Sequence, residues 1–383
     1  MSISKYKKSG LKPFLKWPGG KSKELKYITP SLPKFIHNYY EPFVGGGAVY
    51  FSIDCADRYF INDKSEDLVE LYQNIADQSN RDFISCLLSI DKSWSDIEKV
   101  FEANKGFLIS TYEAYRNDNC KSLLKENVSI WVGDREGDLL GIIPKSLCFE
   151  VEIFIKELKS NLVRKLSRMF VIEGRKGKLS DVDVELNILT ALKSALYMYY
   201  RHLHNIQEEL ESHLNSAIYY FIRNYTYSSM FRYNSKGQFN VPYGGMGYNN
   251  NRLKDKISYL DSKTLRKRLN ITVIENLDFY DFFANKKMSE DDFVFLDPPY
   301  DTEFSTYDKN MFGIEDQKRL ADLLINQLNC KWMLVIKNTE FIYNLYCDQE
   351  QVYIHHFDKT YAVSFMNRNN RDTEHLLITN YEI

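Results

Sequence analysis

The sequence has few cysteines and histidines, and their spacing excludes the usual metal and disulfide sites. Six cysteines are scattered through 383 residues without a Cys-x-x-Cys pair. This excludes a disulfide framework and the common zinc spacings, and scattered thiols are typical of a reducing cytoplasm. The adjacent pair His355-His356 lies in a predicted strand, where neighbouring side chains point to opposite faces. We therefore expect a cytoplasmic protein without a bound metal.

Long apolar runs and a charge excess are also missing. No segment is long enough to span a bilayer, and the N-terminus is polar and lysine-bearing, so neither a membrane anchor nor a secretory leader is expected. The net charge is only −2. A polyanionic partner such as nucleic acid would therefore have to be bound by local basic patches.

What the sequence does contain is an alternation of strands and helices near both ends. Near the start we predict strands over 38–43 and 59–61 and helices beginning near 48 and over 66–75. After about residue 270 we predict strands over 271–274, 293–296, 332–336, 352–357 and 375–379, with helices over 279–283 and 315–328. This order is typical of a doubly wound α/β sheet. We therefore assign residues 1–75 and 266–383 to one α/β domain.

The stretch 76–265 has a different pattern. Apolar residues recur at helical spacing, as in Ile188, Leu192 and Leu196. Polar, glycine-bearing interruptions are expected at 133–141 and 174–177. This pattern predicts a large, mainly helical domain inserted into one crossover of the sheet.

The four residues Asp297-Pro298-Pro299-Tyr300 follow the apolar stretch 293–296, which is typical of a buried strand. In α/β folds, ligands bind at the carboxyl ends of such strands. The Asp297 carboxylate, the Pro298 carbonyl and the Tyr300 ring would suit a planar ring bearing an amine. The alternative is an ordinary strand end followed by a proline turn.

A glycine-rich turn, Gly45 to Gly47, follows the first predicted strand. Asp63 ends the next strand, 18 residues after Gly45 (63 − 45), near the spacing at which dinucleotide folds place a ribose-binding acid. The turn lacks the G-x-G-x-x-G pattern and groups to hold a pyrophosphate. S-adenosylmethionine, with ribose and adenine but no phosphate, therefore fits better. Asp63 could instead be a helix cap.

Gly20-Lys21-Ser22 offers a competing interpretation as the end of a phosphate-binding P-loop. That loop needs a glycine five residues before the lysine, where this chain has Lys16, and a preceding strand, which is not predicted. The sequence therefore disfavours a P-loop ATPase.

Four motifs together resemble the Dam-type (D12 class, group alpha) DNA adenine-N6 methyltransferases. They are the stretches 14–21, 41–47, 231–234 and 297–300, and the resemblance covers about residues 11–75 and 225–383. It implies a Rossmann-like methyltransferase sheet, S-adenosylmethionine and duplex DNA. The cofactor-binding residues it implies, together with the turn glycines, are Trp17, Lys21, Phe43, Gly45, Gly47, Asp63 and Asp297. Lys21 would bind the cofactor carboxylate or shape the pocket.

The implied chemistry is transfer of a methyl group to an adenine flipped out of the duplex. Asp297 and the Pro298 carbonyl would accept the two amine hydrogens, Pro299 would stiffen the corner and Tyr300 would stack on the base. No covalent nucleophile is needed. Cytosine N4 would satisfy the same acceptors, and a relative that has lost catalysis is a further alternative.

Residues 225–245 are expected to form a DNA-reading hairpin around the turn at 235–237. The residues predicted to contact DNA are Tyr227, Ser228, Met230, Arg232, Tyr233 and Asn234. Arginine reads guanine in the major groove, and the resemblance makes Arg232 the base-reading arginine and Tyr227 an intercalating ring. Ser228 and Ser229 depart from the Asn-Gly of GATC readers, so the target site is left open. An ordinary surface hairpin is the alternative.

Basic runs flank this hairpin, at 164–168 and 175–178 before it and at 263–268 after it. They are either solvated helix faces or phosphate contacts. A restriction-modification, phage or orphan origin would each fit such an enzyme. In a restriction-modification system, a cognate restriction endonuclease would be its partner.

Overall fold

The computed structural model describes residues 10–77, 80–206, 210–299, 312–360 and 372–383. The chain divides into two compact units. The first contains Met1–Ala76 and Ser262–Ile383, and the second contains Asp77–Asp261. The chain thus leaves the first unit once and returns to it.

The first unit is built on a seven-stranded sheet in the order β3-β2-β1-β4-β5-β7-β6. Its strands are β1 (Asn38–Glu41), β2 (Arg58–Asn62), β3 (Thr272–Glu275), β4 (Phe293–Leu296), β5 (Lys331–Lys337), β6 (Tyr353–Thr360) and β7 (Asp372–Thr379). The pairs from β3 through β5 are parallel, whereas β7 runs antiparallel to both β5 and β6. The prediction of an α/β protein with a mostly parallel sheet is confirmed.

Helices surround this sheet and make up the second unit. In the first unit they are α1 (Leu25–Ile28), α2 (Glu66–Ala76), α10 (Lys263–Leu269), α11 (Phe279–Ala284), α12 (Ile314–Asp322) and α13 (Glu340–Tyr346). In the second unit they are α3 (Arg81–Asp118), α4 (Lys121–Asp134), α5 (Glu136–Leu140), α6 (Val151–Lys176), α7 (Asp181–Asn205), α8 (Ser212–Tyr225) and α9 (Lys254–Leu260).

Burial explains why the central strands form where they do. All four residues of β4 are buried, and so are the five central residues of β5. Continuous apolar runs of this kind belong to strands covered on both faces. The core on one side joins β4 and β5 to α11, α12 and α13. The carboxyl ends of β1, β2 and β4 are thereby held at one edge of a rigid sheet.

Two local predictions are wrong. The expected helix near residue 48 is only a short 3₁₀ turn, Tyr50–Ser52, because the side chains from Ala48 to Phe51 are all buried and packing overrides helical periodicity. The expected interruption at 133–141 is largely helical: α4 continues through Gly133, where nothing lies within 4 Å of an added Cβ, and α5 follows. Of the interruption predicted at 174–177, only the last residue leaves the helix: α6 continues through Lys176 and ends at Gly177, which has φ +87°.

No helix in the described part of the chain is long and apolar enough to cross a membrane. Within the same ranges, no three potential metal ligands lie close enough together to hold an ion.

Candidate functional site

The residues predicted from the two ends of the sequence meet at the carboxyl edge of the sheet in the first unit. β1, β2 and β4 are parallel neighbours, so they end on the same side. The glycine turn follows β1, Asp63 follows β2 and Asp297 follows β4. This is the edge at which ligands bind in open α/β sheets.

Asp297 is paired with Lys21, which lies 276 residues away in the chain. The Lys21 ammonium donates to Oδ1 of Asp297 and, at 3.0 Å, to the carbonyl of Gly19. The Lys21 side chain is only 2% exposed and that of Asp297 is 19% exposed. A buried ammonium in this position fixes the orientation of the carboxylate and balances its charge. The segment that precedes α1 is thereby fastened to the end of β4.

The proline corner after Asp297 is held from α12. Gln317, which is 1% exposed, donates from Nε2 to the carbonyl of Pro299 at 2.9 Å. Pro298, between Asp297 and Pro299, is buried. Tyr300 lies outside the described residues.

The glycine turn is packed too tightly to carry side chains. Gly45 has φ +48°, and an added Cβ would lie 2.6 Å from Cδ1 of Trp17. Gly47 has φ +72°, and its Cβ would lie 2.6 Å from the hydroxyl of Tyr72. Tyr72 also donates to the carbonyl of Gly45 at 3.2 Å. Trp17 and Tyr72 therefore fix this buried turn from two directions.

Asp63 connects this turn to the end of β2. Its Oδ2 accepts from the amide of Gly45 and its Oδ1 from the amide of Ser65, both at 2.9 Å. These two bonds join the glycine turn to the segment that leads into α2.

Glu41 is a site residue that sequence reasoning missed. It ends β1, is 2% exposed and accepts from the hydroxyl of Tyr39 at 2.6 Å. Burial raises its pKa well above the usual range; the Tyr39 hydrogen bond counteracts this, and the negative charges of Asp297 and Asp63 add to it. Glu41-Pro42 and Asp297-Pro298 are acid-proline pairs after neighbouring strands, and that repetition was the available signal.

An aromatic wall borders the same edge. Phe43 is half-buried, with its ring centroid 5.7 Å from that of Phe279 and 5.5 Å from that of Phe312. The edge thus brings an aromatic ring, carboxylates and a glycine turn together.

The predicted DNA-contacting residues lie in the second unit. Tyr227 is 48% exposed, and the two serines that follow it have left-handed backbones, with φ 52° at Ser228 and 54° at Ser229. Arg223, 1% exposed, holds this conformation by donating to the carbonyls of Ser229 at 3.2 Å and Met230 at 2.8 Å. Asn-Gly would adopt this shape readily, whereas a non-glycine residue pays about 1–2 kcal/mol for it.

A turn at 235–236 connects two antiparallel arms that are bridged at Tyr233–Phe239 and Thr226–Tyr243 but form no regular strands. Asn234 shapes the turn, because its Oδ1 accepts from the amides of Lys236 and Gln238. Arg232 is exposed and donates from Nε and Nη2 to the carbonyl of Asn240. Its Nη1 has no hydrogen bond within the described residues.

Comparison with known proteins identifies one matching family. The family model of the D12 class N6 adenine-specific DNA methyltransferases matches residues 17–132 and 177–363, leaving 133–176 unmatched. The chain is 24% identical to the Type II methyltransferase M1.LlaDCHI of Lactococcus lactis subsp. cremoris, over 100% of this chain and 99% of that protein. It is 25% identical to the Type II methyltransferase M.CviBI of Paramecium bursaria Chlorella virus NC1A, over 97% and 100%. It is 22% identical to the DNA adenine methylase of Haemophilus influenzae, over 82% and 73%.

Proposed function

Because the chain belongs to the D12 class of N6 adenine-specific DNA methyltransferases, we propose that S-adenosylmethionine is its methyl donor and that Asp297 holds the target amine. The enzyme methylates adenine in DNA. The observation that carries the proposal is the convergence of Asp297, Lys21 and the glycine turn at one edge of the sheet. Transfer of labelled methyl groups to unmethylated genomic DNA, followed by mapping of the modified bases, tests it.

The residues at this edge fit S-adenosylmethionine. The turn at Gly45 to Gly47 lies at the carboxyl end of β1, where α/β sheets bind nucleosides, and Trp17 and Tyr72 hold its backbone in a fixed conformation. We assign the ribose hydroxyls to Asp63 and the adenine face to the Phe43 ring. When bound, the cofactor supplies an electrophilic methyl group on a sulfonium. Trp17 supports the glycine turn, and Lys21 supports Asp297.

The chain's own contribution to the reaction is positioning and electrostatics. We assign the Asp297 carboxylate, which Lys21 orients, to one amine hydrogen of the adenine and the Pro298 carbonyl to the other. These acceptors would draw the nitrogen lone pair out of the ring plane toward the methyl group. The methylated nitrogen must then release a proton, and we assign Asp297 as the base that accepts it. An adenine inside a duplex cannot reach this edge, so we propose that it is flipped out.

We expect Asp63→Ala to weaken the binding of S-adenosylmethionine by about 10- to 100-fold, because a hydrogen bond to a charged group contributes about 1.5–3 kcal/mol. Isothermal titration calorimetry measures this. Asp57→Ala is the matched control, since Asp57 is 73% exposed and precedes the same strand. Unchanged affinity with a lower melting temperature would leave Asp63 with only its structural contacts to Gly45 and Ser65.

We further propose that residues 77–261 form a target-recognition domain in which Arg232 reads a guanine and Tyr227 supports the opened duplex. The exposed Tyr227, the clamped serines and the uncommitted side of the Arg232 guanidinium support this assignment. The names of the Type II relatives favour a restriction-modification role, with a cognate endonuclease as partner in the cytoplasm. The family description favours adenine over the cytosine-N4 alternative.

Arg232→Ala should relax the sequence preference at a single position by roughly 10- to 100-fold, because a bidentate arginine–guanine pair contributes about 1–3 kcal/mol of discrimination. Methylation rates on the mapped cognate duplex and its single-base variants, at fixed salt, give the ratio. Lys267→Ala serves as control, since loss of a phosphate contact slows all duplexes alike. If Arg232→Ala also slows them all by one factor, Arg232 does not read a base.

A further inference from the structure

The second unit contains a pocket of about 580 Å³ bounded by α6, α7 and the segment from Arg232 to Gly245. Five cationic side chains line it: Arg164, Lys165, Arg168, Arg201 and Arg232. Three of the five come from a little more than one turn of α6. The other lining residues include neutral hydrogen-bonding groups, among them Asn161, Ser194 and Asn240. The pocket thus concentrates positive charge in a protein whose net charge is −2.

The hydrogen bonds of these cations in the described residues go to neutral groups. None of the five cations forms an ion pair with a carboxylate in the ranges that the structure describes. Arg164 donates to Asn161, Arg201 to the carbonyl of Val241 at 3.3 Å, and Arg232 to the carbonyl of Asn240 at 2.7 Å. Glu157 is a carboxylate that interacts electrostatically with Arg201, and it already accepts a hydrogen bond from Asn161 at 2.8 Å. Neutral acceptors hold the cations in place without neutralising them, and an anion from outside would do so.

The pKa values in the pocket agree with this geometry. Burial lowers the pKa of Lys165, and the neighbouring charge of Arg164 lowers it further. Burial likewise lowers the pKa of Arg201. The positive charge of Arg232 lowers it further, whereas Tyr197 and Glu157 raise it. Like charges held close together in this way are stabilised by a bound anion.

We propose that this pocket, the α6 pocket, binds the phosphate backbone of duplex DNA, and that α6 (Val151–Lys176) is its phosphate-contacting wall. One small phosphate needs two or three donors, whereas the four cations other than Arg232, which is assigned to a base, suit a polyanion that presents several phosphates in a row. The proposal rests on the proposed function, because it takes the anion to be the DNA substrate.

The test compares two triple variants of the full chain with equal loss of charge. R164A/K165A/R168A empties the wall of the pocket, and R175A/K176A/K178A removes three exposed cations that do not line it. The dissociation constant for a 40-base-pair duplex is measured by fluorescence anisotropy at several salt concentrations. Each phosphate contact contributes about 0.9 to the slope of log K against log salt. Wild type therefore binds more tightly than the variant at 50 mM salt, and its advantage shrinks as salt rises. For two or three lost contacts, the ratio of the two affinities falls by roughly 10- to 40-fold between 50 and 200 mM salt.

The control variant is expected to keep the wild-type slope, and R164K/R168K, which preserves the charge, should keep most of it. The loss in the alanine variant should be the same for cognate and unrelated duplexes. The proposal is overturned if R164A/K165A/R168A has the slope of the control, if its loss is confined to certain sequences, or if R164K/R168K loses as much as alanine does. Wild-type methylation of genomic DNA, measured in parallel at saturating DNA, decides the proposed function independently of these slopes.

Discussion

Replacing Asp297 by asparagine is expected to lower the rate constant of methyl transfer by at least about 100-fold, the effect of removing one preorganised electrostatic group from an active site. Asparagine keeps the shape of the side chain and one hydrogen-bond acceptor. It loses the negative charge that attracts the amine hydrogens and accepts the proton. The affinity for S-adenosylmethionine should change by only a few fold. Single-turnover methylation of genomic DNA measures the rate, and calorimetry measures the affinity.

Asparagine is preferable to alanine here because of Lys21. Alanine would leave an ammonium that is 2% exposed without its carboxylate, and breaking a buried pair in this way costs about 3–5 kcal/mol of folding stability. Asp291→Asn is the matched control, since Asp291 is exposed and precedes the same strand at its other end. A near-wild-type rate for Asp297→Asn would remove Asp297 from the reaction.

Gly45→Ala is expected to reduce the affinity for S-adenosylmethionine at least about tenfold, since one lost interaction of about 1.4 kcal/mol already has that effect. The new Cβ would lie 2.6 Å from the Trp17 ring at a residue with φ +48°, so the turn or the tryptophan must move. The left-handed conformation alone costs alanine about 1–2 kcal/mol, and the melting temperature should fall with it. Calorimetry and thermal unfolding give the two quantities.

Gly106→Ala supplies the comparison for this variant. Gly106 lies within α3, and an added Cβ would meet nothing within 4 Å. The same substitution should there stabilise the protein by up to about 1 kcal/mol, because alanine is the better helix former. If Gly45→Ala binds the cofactor as tightly as Gly106→Ala does, the glycine turn is not part of the cofactor site.

The sheet and its binding edge could be predicted because they depend on local pattern. Buried parallel strands are continuous apolar runs, and β4 and β5 are of this kind. The residues that follow such runs must lie at the carboxyl edge. For that reason Asp63 and Asp297 could be placed from the sequence, and the structure brings the glycine turn and Lys21 to join them.

What could not be predicted depends on contacts between distant parts of the chain. Nothing local indicates that Lys21 pairs with Asp297, or that Gln317 on an amphipathic helix turns inward to hold Pro299. The left-handed serines after Tyr227 were unpredictable for the same reason, since their conformation depends on the buried guanidinium of Arg223 and not on their own preference.

The return of the chain at residue 262 has a consequence for the order of folding during synthesis. The ribosome completes β1 and β2 first, but β3 and β4, which flank them, follow only after the 185 residues of the second unit (261 − 76). At about 5–20 residues per second this delay lasts roughly 10–40 s. The second unit, being continuous, can fold as it emerges, while β1 and β2 wait without the two strands that flank them. We therefore expect a fragment of residues 77–261 to fold alone and a fragment of residues 1–76 to aggregate or to bind chaperones.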